Sequence, residues 1–113
     1  MKRYLLFTLL SLCFLSVAVA QDPAAAERYQ QQAEYYRRQA ESYQNDAEYY
    51  LRQAKSAERD AEYYQRNKKY DRARDYYRRA ADAMDSYKSK LSYARDYADK
   101  AKDYYRRAAD ALR

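Results

Sequence analysis

The 113 residues contain no glycine, no histidine and no tryptophan, and only one proline and one cysteine, Pro23 and Cys13. Without histidine the commonest general base and metal ligand is missing. Without glycine no loop can cradle a phosphate on its backbone N–H groups. Past residue 20 the chain also lacks Cys, Phe, Val, Ile and Thr, which removes a thiol nucleophile, disulfides and the usual β-branched residues of strands. The large apolar side chains left there are Leu51, Met84, Leu91, Leu112 and every tyrosine except Tyr4. A compact globular core cannot be built from that list. Elongated helices can be, because each buries only a stripe.

What is present is a period of seven. Alanine recurs at Ala26, Ala33, Ala40, Ala47, Ala54 and Ala61, and three residues after each come Tyr29, Tyr36, Tyr43, Tyr50, Ala57 and Tyr64. Apolar residues at 3-then-4 spacing keep one stripe of a helix against a partner. Alanine allows close backbone approach and tyrosine fills the space between. A second alanine line runs through Ala73, Ala80, Ala94, Ala101 and Ala108, with Met84 and Leu91 beside it.

These lines predict an all-α protein. Asp22-Pro23 reads as a helix start: Asp caps free N–H groups and Pro fits the first turn. No helix breaker of the Gly or Pro type follows. The two alanine lines are out of phase, since Ala61 and Ala73 stand 12 residues apart rather than 14. The stripes therefore point about 150° apart, and no one partner could cover both on a single rod. A turn resolves this. Residues 65–69, Gln-Arg-Asn-Lys-Lys, form a short polar stretch, and Asn67 can adopt the left-handed conformation that ends helices. The expected organisation is a first long helix over 21–66, a turn at 67–69 and a second long helix over 70–113, packed as an antiparallel αα-hairpin. The alternative is one continuous helix forming an oligomeric coiled coil.

Internal duplication is visible in both halves. Ala33-Glu34-Tyr35-Tyr36 returns as Ala47-Glu48-Tyr49-Tyr50 and as Ala61-Glu62-Tyr63-Tyr64, and residues 75–83 return unchanged at 103–111. Around the turn, Tyr70-Asp71-Arg72-Ala73-Arg74-Asp75-Tyr76-Tyr77-Arg78-Arg79-Ala80 is similar to the second helix of a tetratricopeptide (TPR) motif. Tyr63-Tyr64 stands where the first helix of that motif ends. The resemblance spans residues 61–81, has Asn67 in place of the usual glycine and one extra residue in the turn, and no 34-residue array follows. It implies helix–turn–helix geometry and peptide binding.

Residues 1–20 differ in kind. Lys2 and Arg3 precede an apolar run that closes with Ala18-Val19-Ala20. A basic start, a short apolar stretch and small residues at a cleavage position read as a secretory signal peptide. The chain is therefore expected to be exported, with cleavage near Ala20, to the periplasm, the cell surface or the medium. An uncleaved N-terminal anchor, or lipoprotein processing at Cys13, would keep it on a membrane. Loss of Lys2 and Arg3 lowers the net charge from +6 to about +4. The basic excess lies in the second half.

No cofactor, metal or catalytic residue is expected. Carboxylates such as Glu27, Glu34, Glu41, Glu48 and Glu62 recur at regular surface positions, with basic neighbours at helical spacing. The tyrosines next to the seam, Tyr35, Tyr49 and Tyr63, widen the apolar face beyond what one partner helix covers. Arg37, Arg38, Arg78, Arg79, Arg106 and Arg107 form doublets that each follow Tyr-Tyr. Arg beside aromatic rings can contact anionic polymers by charge and stacking. Two functions follow as expectations: helix–helix self-association of a structural protein, and binding of an anionic polymer such as polysaccharide, cell wall or lipid headgroups, with nucleic acid less favoured.

Overall fold

The computed structural model describes residues 21–113; the expected signal peptide lies outside them. Two helices, α1 (Pro23–Arg66) and α2 (Tyr70–Ala111), form an antiparallel hairpin. The chain reverses at Asn67, Lys68 and Lys69, so the continuous rod is not formed.

The turn is closed by backbone chemistry. Lys68 N–H donates to Gln65 O at 3.0 Å and Lys69 N–H to Tyr64 O at 2.9 Å. These two bonds are the Schellman pattern, which satisfies carbonyls left open at a helix end. Its left-handed position falls on Lys68, with φ 61°, and not on Asn67 as the residue type suggested. Asn67 instead donates its side-chain Nδ2 back to Tyr63 O at 2.9 Å. At the other end, Asp22 Oδ1 accepts from Ala25 N–H at 3.0 Å and caps α1. Asp22 N–H donates to Ala111 O at 2.6 Å, tying the start of α1 to the end of α2.

Contacts divide the described residues into two units. One pairs the start of α1, up to Tyr36, with Asp99–Arg113; the other is Arg37–Ala98 and includes the turn. The same packing rule operates in each. All buried side chains among the described residues are alanines: Ala26, Ala33, Ala40, Ala47, Ala54, Ala61, Ala73, Ala94 and Ala101. Tyr29, Tyr36, Tyr43, Tyr50 and Tyr64 are half-buried between them.

Register explains this division. In the turn unit, Tyr43 stacks on Tyr97 and Tyr64 on Tyr76, with centroids 5.5 and 5.4 Å apart and planes at 10° and 15°. Each ring belongs to a neighbouring layer of the seam, one supplied by α1 and the next by α2. This sets Ala94 opposite Tyr43, Ala40 opposite Tyr97, Ala73 opposite Tyr64 and Ala61 opposite Tyr76. Each of those alanines is covered. In the other unit Tyr36 stacks on Tyr104 at 5.5 Å, above Ala101 and Ala33, which are covered too. A large residue against a small one keeps the helices close, and alternating the donor helix lets successive rings stack.

The rule fails where both sides are small. Ala57, Ala80 and Ala83 occupy inward positions opposite other alanines and are only half-buried. A cleft of about 380 Å³ opens there, lined by Gln53, Ser56, Ala57, Asp60, Tyr76, Arg79 and Ala83.

Candidate interaction surface

Tyr35, Tyr49 and Tyr63 occupy one heptad position of α1 and are 55%, 50% and 57% exposed. Each lies edge-on to the inward tyrosine that follows it. Centroid distances are 5.3, 5.4 and 5.3 Å, with ring planes at 72°, 75° and 74°. The repeated Tyr-Tyr pair thus folds the same way three times: one ring goes into the seam and its exposed neighbour stands nearly at right angles to it. Edge-to-face contact suits the opposite polarity of ring edge and ring face.

Cations lie over rings of the seam. Arg79 lies over Tyr76 and Arg107 over Tyr104, both at 4.9 Å, in the duplicated segment. Arg72 lies over Tyr64 at 5.6 Å, Lys90 over Tyr43 at 5.5 Å and Lys100 over Tyr36 at 5.6 Å. Each such contact contributes about 0.5–1 kcal/mol at an exposed site. Tyr93 packs at 5.4 Å against Tyr43.

The expected surface residues Arg37, Arg38, Arg78, Arg79, Arg106 and Arg107 are all exposed. The doublets in α2 split by role: the second arginine of each lies over a ring, and the first lies one residue further from the seam. Arg37 pairs with Glu41, one turn further along the helix, at 3.4 Å. Of the expected seam residues other than tyrosine, Ala80, Met84, Leu91 and Ala108 are half-buried rather than buried. Met84 and Leu91 follow directly after the inward Ala83 and Lys90, at the flank of the seam.

Sequence reading missed Tyr76, Tyr97 and Tyr104 as seam residues, although each stands three after Ala73, Ala94 and Ala101, the spacing used to find the tyrosines of α1. It also missed Lys90, a cation at an inward position, because heptad patterning assigns such positions to apolar residues.

Among the described residues there is no cluster of His, Cys, Asp and Glu that could hold a metal ion, and no helix long and apolar enough to cross a membrane. Compared with family models, curated proteins and solved structures, the chain finds no match.

Proposed function

We propose that this chain is an exported, non-enzymatic structural protein that acts by self-association at the cell envelope or outside the cell. The observation that carries the reading is the aromatic surface left over once the hairpin is closed. Outside the cleft near Ala57 and Ala83 the seam is filled, yet Tyr35, Tyr49, Tyr63, Tyr77, Tyr93 and Tyr105 remain exposed. Of these, Tyr35, Tyr49 and Tyr63 repeat at one heptad position along α1, a row that a partner can cover. Charge alternates in sign around the helices, which favours specific side-by-side association over non-specific collapse.

Export rests on the basic and apolar character of residues 1–20. The test is expression with that segment encoded, followed by N-terminal sequencing and sedimentation. The expected result is an N-terminus at Gln21 and an assembly larger than one chain at micromolar concentration. A strict monomer at high micromolar concentration would sink the self-association reading.

A second reading is favoured by the duplicated geometry of Arg79 over Tyr76 and Arg107 over Tyr104. Each places a cation on an aromatic face beside an exposed tyrosine, Tyr77 or Tyr105. That combination suits an anionic polymer.

A further inference from the structure

We propose that a second copy of this chain docks on one flank of the hairpin, the flank that carries Leu51, Tyr77, Met84 and Leu91, with the two-fold axis running parallel to the helices. The inference rests on the self-association reading and places one contact on the flank that carries Tyr77; Tyr35, Tyr49, Tyr63 and Tyr93 lie toward the other flank.

The two flanks of the seam differ. In the turn unit all the large aliphatic side chains, Leu51, Met84 and Leu91, fall at the heptad position just beyond the inward residues on one flank. Each is half-buried against its own hairpin. Tyr77 shares that position in α2, 42% exposed, and donates its hydroxyl to Gln65 Oε1 at 2.7 Å across the two helices. This strip, in which Gln44 and Glu58 share Leu51's heptad position on α1, runs between two rows of charge. Along α1 the outer row is Glu41, Glu48, Lys55 and Glu62; along α2 it is Arg74, Ala81, Lys88 and Arg95. All of these residues are exposed.

The rows match in height as well as in sign. Counting from the Tyr43–Ala94 and Tyr64–Ala73 layers, Glu41 lies level with Arg95, Glu48 with Lys88 and Glu62 with Arg74, to within about one residue or 1.5 Å. The one break in the acidic row, Lys55, lies level with the one break in the basic row, Ala81. In the other unit, Glu34 and Lys102 stand in the same relation.

Such a face is complementary to itself under only one symmetry. Rotation about an axis parallel to the helices lays α1 of one copy over α2 of the other. Every Glu then meets a cation, and Lys55 meets Ala81. Rotation about an axis across the helices lays α1 over α1 and sets Glu against Glu. Like charges directly opposed are destabilising, so the pattern selects the first arrangement. It brings both turns to the same end and makes each neighbouring helix pair antiparallel, the packing of a four-helix bundle. Among the described residues, Glu48, Glu62, Lys88 and Arg95 make no ion pair within the chain. Docking would give them one.

The test is a charge swap on the processed protein, followed by sedimentation at low salt, with helicity checked by circular dichroism. Glu41→Lys, Glu48→Lys and Glu62→Lys together make both rows basic; Arg74→Glu, Lys88→Glu and Arg95→Glu together make both acidic. Each triple variant is expected to lose dimerisation by at least about tenfold. Mixing the two variants, or combining all six changes in one chain, is expected to restore it. Zero-length carbodiimide coupling of a mixture of isotopically heavy and light wild type is expected to join Glu48 of one copy to Lys88 of the other. If the triple variants associate as the wild type does, or the coupling joins no such pair between copies, the face or its symmetry is wrong while self-association stands. If the wild type is itself monomeric, the underlying reading fails.

Discussion

Tyr43 stacks on Tyr97 across the hairpin, with ring centroids 5.5 Å apart and planes at 10°. Offset stacking of this kind contributes about 0.5–1.5 kcal/mol beyond the area it buries. Tyr43→Leu and Tyr97→Leu are each expected to destabilise the hairpin, and the double variant by less than their sum. Urea unfolding of the four proteins in the cycle measures the coupling; a value of zero would mean that the stacking adds nothing to burial.

Ala47 is completely covered. Its methyl group leaves no space for a larger side chain without moving the helices apart. Ala47→Leu is expected to lower stability by about 1–3 kcal/mol despite adding apolar area and keeping helix propensity. A higher melting temperature for this variant would show that the seam is loosely packed there.

Lys68 holds φ at 61°. A residue with a Cβ pays for the left-handed conformation and glycine does not. Lys68→Gly is therefore expected to stabilise the fold by about 0.5–1 kcal/mol, and Lys68→Val to destabilise it by more than that. Thermal unfolding of both variants checks the sign of each.

Asp22 caps α1 through Ala25 N–H. Asp22→Ala is expected to remove about 1 kcal/mol, and Asp22→Asn to keep most of it, because the amide oxygen also accepts the bond. The same substitutions leave the backbone bond from Asp22 to Ala111 in place, so urea unfolding isolates the cap.

Arg78, Arg79, Arg106 and Arg107 carry the polymer-binding reading. Their joint change to Gln is expected to weaken salt-sensitive retention on immobilised dextran sulfate, with Arg37 and Arg38 beside Tyr35 and Lys68 and Lys69 beside Tyr70 left in place. Retention equal to that of the wild type would remove the reading. The variant keeps Arg74, Lys88 and Arg95, so its dimerisation should be unchanged.

The helical class and the hairpin were legible because they depend on local periodicity. An alanine every seven residues, together with a phase break between Ala61 and Ala73, gives two stripes and favours a reversal over a continuous rod. The place of the turn was legible too, at the polar residues 65–69. Which of its residues takes the left-handed conformation was not. Lys68 has it because the Schellman hydrogen bonds to Gln65 and Tyr64 require the reversal one residue after Asn67, and two backbone bonds outweigh a residue preference.

The amino-acid order by itself determined which residues share a helix face, because a period of seven against 3.6 residues per turn is a property of one helix. Only the tertiary structure decided how the two faces meet. Register across the hairpin put tyrosine against alanine and ring upon ring, left a cleft where alanine met alanine near Ala57 and Ala83, and brought Glu48 level with Lys88. These relations join residues distant in sequence. Their heights are set by the layers in which large side chains find small partners, a condition on both helices at once.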